Sequence, residues 1–131
     1  MIWNKKYNYP SSTKAIFNGY RHYDINNEKL PSVTSIIEAT KTEDEKANLA
    51  LWKERVGYQE AERISKEAAS RGISMHQFIE QYLLGKLNGD LLEDNNKAKK
   101  MADEIIENGI KGKLQEIWGC EATLYYPGKY A

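Results

Sequence analysis

Short apolar and polar stretches without a helical period occupy the first part of the chain. Residues 1–19 mix Asn, Ser, Lys and Tyr, and they predict an N-terminal tail or a loosely paired strand. Residues 21–30 contain two short extended pieces around Asn26 and Asn27, and asparagine tolerates the positive φ of a tight hairpin turn. The pattern therefore predicts a β-hairpin, which Pro31 ends.

After Pro31, apolar residues recur at the three- and four-residue spacing of helices. Ser32 can cap a short helix. Thr42 and Glu45 form a capping box that predicts the start of a second helix, and Gly57 stands where this helix ends, after Val56. The remaining predicted elements are, in order, a helix over 60–71, a helix over 74–84 that Gly72 separates from it and Gly85 stops, a turn over 88–90, a helix over 95–107 ended by Asn108-Gly109, a short helical piece over 114–118 and a strand over 120–126.

The composition fits one ordinary domain, because 40% of its 131 residues are hydrophobic. Nineteen Lys and Arg balance nineteen Asp and Glu, which argues against nucleic-acid binding by bulk positive charge and leaves a local basic groove open. No run approaches the ~20 apolar residues of a membrane-spanning helix, and no apolar signal segment follows the N-terminus. The single cysteine, Cys120, cannot form an internal disulfide, which favours a reducing, cytoplasmic setting.

The best candidates for chemistry lie on the helix predicted over 74–84. His76 and Glu80 are four residues apart, so their side chains project from neighbouring turns of one helix face. An imidazole beside a carboxylate can ligate a divalent metal ion, or the carboxylate can orient the ring. The second histidine of a His-Glu-x-x-His zinc site is missing, so an ordinary structural or exposed pair is the simpler interpretation.

Glu121 is a second candidate, because it is acidic and stands near the start of an otherwise apolar and aromatic predicted strand. In a cleft it could hold a metal ion or a metal-bound water, whereas facing solvent it would be an ordinary edge charge. Cys120 is expected on the core face as a small apolar residue. His22 has no acidic partner at an informative spacing except Asp24, and no role is assigned to it.

Basic and aromatic residues could form a nucleic-acid surface. Glutamates interrupt the basic residues, so a solvated helical surface is the simpler interpretation. The nine tyrosines could stack on bases, but are as well explained as core or rim residues. No phosphate-binding loop and no Gly-x-Gly-x-x-Gly occurs, so no nucleotide cofactor is expected. The basic residues lie in two groups, Arg55, Arg63, Lys66 and Arg71 before His76, and Lys97, Lys99, Lys100, Lys111 and Lys113 later in the chain.

Four stretches taken together and in order are more specific than any one motif. With them, the sequence over about 20–131 resembles the N-terminal half of phage exonucleases in the PD-(D/E)XK superfamily, a group that includes RecB-type nuclease domains and the mitochondrial genome maintenance exonuclease. The most specific part is Arg71-Gly72-x-x-x-His76-x-x-x-Glu80. The four stretches are Leu30–Ile37, Ala50–Gly57, Glu67–Glu80 and Glu121–Tyr125.

The resemblance implies an α+β fold, the mainly helical N-terminal part of a PD-(D/E)XK nuclease with an N-terminal hairpin and a late strand of its central sheet. It further implies a DNA exonuclease dependent on Mg²⁺ or Mn²⁺. His76 would lie beside the metal, Glu80 would match the acidic position of that helix, and Glu121 would match the glutamate that opens the first core strand. DNA is the implied partner, with contacts expected from Arg63, Lys66 and Arg71.

The family pattern continues with two segments that contribute the remaining catalytic groups, Tyr-Ala-Gly-x-x-Asp and a later Asp/Glu-x-Lys strand. The sequence stops at residues 128–131, before the first of these. We therefore expect a truncated or split chain that is inactive alone, or one completed by a second polypeptide. The alternative is a noncatalytic helical module that binds DNA or a protein of replication or recombination.

Overall fold

The structure, a computed structural model, describes residues 1–86 and 97–131 and has an α+β fold. The chain divides into two compact units, residues 1–5 with 53–121 and residues 6–52 with 122–131. No helix in the described ranges is long and apolar enough to cross a membrane. The elements are β1 (Ile2–Trp3), β2 (Thr13–Phe17), β3 (Tyr20–Ile25), β4 (Glu28–Pro31), α1 (Val33–Ala39), α2 (Glu43–Val56), α3 (Tyr58–Leu83), α4 (Lys97–Ile105), a π-helical turn (Ile106–Ile110) and β5 (Glu116–Ile117).

The unit made of residues 6–52 and 122–131 contains a three-stranded antiparallel sheet in the order β2-β3-β4. The predicted hairpin is confirmed, since Asn26 and Asn27 join β3 to β4 with φ values of 48° and 65°. Asn18 and Gly19 make a second two-residue turn of the same kind, with φ values of 52° and 80°. Residues 13–17 are thus a regular paired strand, in agreement with the strand alternative for the N-terminal segment and not with the tail alternative.

Two predicted helix starts in this unit are confirmed by their capping hydrogen bonds. The Ser32 side chain accepts a bond from the Ser35 backbone N–H at 3.1 Å at the start of α1. At α2, the Thr42 hydroxyl accepts from the Glu45 N–H at 3.2 Å, and the Glu45 carboxylate accepts from the Thr42 N–H at 2.9 Å. Both caps satisfy backbone donors that a helix leaves free in its first turn.

Helix α3 corrects the prediction of two helices separated by Gly72. It is one continuous helix of 26 residues, and Gly72 is not among the glycines with positive φ. Glycine inside a helix costs only about 1 kcal/mol relative to alanine, which the packing and hydrogen bonds of a long helix outweigh. Ser74 therefore lies inside the helix and caps nothing. The predicted stop at Gly85 is confirmed by its φ of 67°.

Helix α4 contacts α3 within the unit made of residues 1–5 and 53–121. Its buried residues, Ala98 and Ala102, lie four positions apart on one face, and their small side chains allow close packing. Ile106, the first residue of the π-helical turn, continues this buried row. The π-helical turn carries the chain past the predicted end at Asn108-Gly109, and the chain turns at Gly112 with φ of 69°. The start of the predicted helix, residues 95–96, and the predicted turn over 88–90 lie outside the described residues.

Two predictions for the C-terminal part are wrong. The helical piece over 114–118 is instead the short strand β5, which pairs in parallel with β1 and buries Ile117. The Trp3 indole supports this pairing by donating a hydrogen bond to the Leu83 carbonyl at 3.2 Å, at the end of α3. Residues 120–126 form no strand, because Glu121 adopts φ of 51°, outside the extended conformation.

Candidate functional site

One face of α3 and Glu121 line a surface groove of about 410 Å³. Residues three and four apart on a helix share one face, which places His76 and Glu80 in the same groove. Gly72 contributes no side chain, and a Cβ atom there would meet no atom within 4 Å. The lining residues are Ala69, Gly72, Ile73, His76, Gln77, Glu80 and Glu121.

The structure brings His76 and Glu121 together although they are far apart in the sequence. The His76 Nδ1 and Glu121 Oε1 atoms are 3.6 Å apart, and the two side chains are 66% and 57% exposed. An attraction between these groups requires a protonated imidazole, and at this exposure an ion pair contributes little to stability. The stability that this ion pair contributes is therefore too small to explain why His76 and Glu121 lie together.

The backbone at Glu121 is held in an unfavourable conformation. Its φ of 51° lies in the left-handed region, which costs a residue with a side chain about 1–2 kcal/mol relative to the right-handed region. Such strain in proteins concentrates at functional sites, where the surrounding structure holds a side chain in a required place. Here the strained residue is the one that presents its carboxylate to His76.

Cys120, adjacent to Glu121, was expected on the core face, but it is only half-buried. Burial raises the pKa of its thiol, and the negative charges of Glu80 and Glu121 raise that pKa further. Cys120 therefore remains a neutral thiol near pH 7 and is a poor nucleophile.

These residues fit a Mg²⁺ or Mn²⁺ ion only in part. Metal–ligand bonds of about 2.0–2.2 Å allow two donors of one ion to lie up to about 4.4 Å apart, which the His76–Glu121 distance satisfies. However, in residues 1–86 and 97–131 no three His, Cys, Asp or Glu side chains form a group that could hold a metal ion. The described residues thus do not make a complete metal centre.

The basic residues predicted to contact DNA lie on α3 but do not line the groove. With a rise of 1.5 Å per residue, Arg63 and Lys66 lie roughly 20 and 15 Å along the helix from His76. Arg63 binds the carboxylates of Glu60 and Glu67 at 2.6 and 2.7 Å, and Lys66 pairs with Glu62 at 2.9 Å.

The hydrogen bond from Arg63 lowers the pKa of Glu60 and raises the pKa of Arg63. Glutamates of the same helix therefore offset the positive charges of two of the three residues predicted to contact DNA, Arg63 and Lys66. Arg71 is half-buried and forms no ion pair with the described residues.

Ala69, Ile73 and Gln77 also line the groove and were not predicted to do so. The spacing of Ala69 and Ile73 from His76, seven and three residues, would have identified them if α3 had been predicted as one helix. Gln77 follows Ile73 by four residues and shares its face. Comparisons of the chain with protein-family models, with curated proteins and with solved structures found no match.

Proposed function

We propose that this groove is part of the site of a metal-dependent DNA exonuclease of the phage type. His76 and Glu121 would supply two ligands to a Mg²⁺ or Mn²⁺ ion, and Glu80 would add a second carboxylate to the groove. The observation that carries the proposal is the 3.6 Å approach of Glu121 to His76. An imidazole and carboxylates facing one groove supply donors that divalent cations bind in proteins.

The volume of the groove supports a bound ligand. At about 410 Å³ it falls within the range of small-molecule sites. The strained backbone at Glu121 keeps a carboxylate there at a cost in stability. Together these features favour a binding role over an ordinary surface pair.

Further ligands are part of the proposal. The resemblance to PD-(D/E)XK exonucleases requires a Gly-x-x-Asp segment, which does not occur in the sequence. The Asp44-Glu45-Lys46 stretch matches Asp/Glu-x-Lys, but it lies on α2 and not on a strand. We therefore propose that a further polypeptide supplies the missing carboxylates and lysine, and that the complex acts on DNA in the cytoplasm of a bacterial host.

DNA binding in the presence and absence of metal tests this function. The chain should bind a fluorescently labelled linear duplex more tightly with Mn²⁺ than with excess chelator, measured by fluorescence anisotropy. His76→Ala and Glu121→Gln should remove the gain from Mn²⁺, whereas Glu62→Gln, an exposed glutamate elsewhere on α3, should keep it. The chain alone should leave the DNA uncut, so chelator-sensitive degradation by it would contradict the need for a further polypeptide. Equal gains from Mn²⁺ in all variants would remove the groove from the function.

A noncatalytic DNA- or protein-binding module is the second candidate function. It is favoured by the absence of a three-ligand metal group in the two described ranges. This function predicts DNA binding that weakens with salt, because phosphate contacts release counterions, but that is the same with Mn²⁺ and with chelator. The same anisotropy experiment therefore distinguishes the two candidates.

A further inference from the structure

One face of the β2-β3-β4 sheet carries aromatic side chains. Phe17 is paired with Tyr20 across β2 and β3, and His22 follows two positions after Tyr20, so all three side chains project from the same side. Asp24 and its β4 partner Lys29 continue this side of the sheet. We call Phe17, Tyr20, His22 and Lys29 the aromatic sheet face.

The opposite side of the sheet supplies the core of this unit. Ile25 and Leu30 are 1% and 3% exposed, and the strand register places both of them on that opposite side together with Tyr23. By contrast, Phe17 is 49% exposed and Tyr20 is 44% exposed. The aromatic residues are therefore not required to fill the core.

Contacts within the aromatic sheet face hold the Phe17 and His22 rings in fixed positions. The rings of Phe17 and His22 meet edge to face, with centroids 5.5 Å apart and an angle of 84°. His22 Nδ1 donates a hydrogen bond to the Tyr20 carbonyl at 3.0 Å, which fixes the imidazole. The Lys29 ammonium lies 5.5 Å from the centre of the Phe17 ring, a cation–π distance. The Phe17 and His22 rings are thus ordered before any ligand binds.

We propose that the aromatic sheet face binds single-stranded nucleic acid. Exposed aromatic rings on a sheet next to a cation suit unpaired bases, whose flat faces stack on the rings while phosphate contacts the cation. Lys29 supplies this cation. It lies 3.8 Å from Asp24, longer than a hydrogen bond, and both side chains are nearly half exposed, so Lys29 can turn to a phosphate. The face shares no residue with the His76 groove and does not depend on a metal.

The charges of Lys29 and Asp24 give this proposal a signature that other aromatic-binding ligands lack. A phosphate backbone is attracted by Lys29 and repelled by Asp24, so neutralising the two residues should change the affinity in opposite directions. A neutral sugar or a proline-rich peptide also stacks on aromatic rings, but has no backbone charge to produce this opposition.

Fluorescence anisotropy with labelled dT and rU oligonucleotides of equal length, in chelator, provides the test. Tyr20→Ala should weaken binding about five- to 150-fold, the effect of losing one stacked base, whereas Tyr20→Phe should retain it. Lys29→Gln should weaken binding and reduce the dependence of log K on log salt by about 0.7. Asp24→Asn should strengthen binding. Similar results with dT and rU would assign base stacking, and tighter binding of rU would add recognition of the 2′-hydroxyl.

A control variant makes the test specific. Tyr58→Ala removes a tyrosine at the start of α3 that is more exposed than Tyr20, 69% against 44%, and it should leave oligonucleotide binding unchanged. Circular dichroism checks that each variant is folded. If Tyr20→Ala does not fold, the proposal is tested by whether Lys29→Gln weakens oligonucleotide binding and Asp24→Asn strengthens it. No binding to either oligonucleotide by the folded protein, or binding that these two charge variants do not alter, would overturn the proposal.

Discussion

Replacing Gly72 by alanine is expected to stabilise the protein, because Gly72 lies in the interior of the continuous helix α3. Its φ is helical, and a Cβ atom at this position meets no other atom within 4 Å. The substitution therefore adds no steric cost in the folded state. It removes conformational freedom from the unfolded chain and replaces a poor helix former by the best one.

The expected gain follows from these two features. Alanine is favoured over glycine in a helix interior by about 1 kcal/mol, and with no clash to subtract, Gly72→Ala should raise the free energy of unfolding by about that amount. For a chain of this length, the change corresponds to an increase of about 3–5 °C in the melting temperature. Urea titration and thermal melting, both followed by circular dichroism at the helix band, measure these quantities.

Gly57→Ala is the matched control, since it makes the same chemical change at a different backbone conformation. Gly57 has φ of 90° and ψ of 141°, a backbone conformation that is nearly restricted to glycine and costs other residues about 1–3 kcal/mol, so this variant should be less stable than the original protein. Destabilisation by Gly72→Ala of the same size would refute the reasoning, because it would mean that the chain breaks at Gly72 in a left-handed turn.

Three other residues give predictions that are each measured in one experiment. Thr42→Ala should lower the free energy of unfolding by about 1 kcal/mol in urea titration because it removes the α2 cap, and an unchanged value would contradict that cap. Ile25→Ala should cost about 2–5 kcal/mol because this side chain is 1% exposed, and a cost below that range would place it outside the core. Cys120 should react with a disulfide reagent at pH 8 more slowly than in the urea-unfolded chain, because its raised pKa leaves less thiolate. Glu121→Gln should speed this reaction by lowering the pKa, and an unchanged rate would show that the Glu121 charge does not act on the thiol.

The features that the sequence predicts best are those decided within a few residues. The Thr42–Glu45 capping box and the Asn26-Asn27 turn each depend on side chains and backbone groups close in the chain, and both are confirmed. A cap or a turn satisfies its own hydrogen bonds or dihedral angles locally, so its residues are sufficient evidence for it.

The same local signals fail where longer-range interactions decide. Gly72 and Ser74 match a helix end followed by a new cap, yet α3 passes through both because the gain from one long helix exceeds the cost of one glycine. Likewise, the alternating pattern of residues 120–126 predicts a strand, but in the described structure their only strand-like pairing is an isolated bridge between Tyr126 and Tyr130. Pairing partners, which sheets require, are not visible in a single segment.

The candidate site depends both on local helical spacing and on a contact between residues far apart in the sequence. Helical spacing predicts that His76 and Glu80 share a face, and the structure places both in one groove. The approach of Glu121 to His76 depends on a left-handed φ at Glu121, a conformation that glutamate rarely adopts and that its sequence context does not indicate. The sequence identifies Glu121 as a candidate only because an acidic residue is unusual in an apolar run.

The most direct test of the His76–Glu121 site is titration of the chelator-treated protein with Mn²⁺, followed through the electron paramagnetic resonance signal of the free ion. With so few protein ligands, one ion should bind with a Kd on the order of 10⁻³ M. His76→Ala and Glu121→Gln should each abolish this binding, while Glu62→Gln should leave it unchanged. Absence of Mn²⁺ binding by the original chain, or equal binding by His76→Ala and Glu121→Gln, would contradict a shared cation at these two residues.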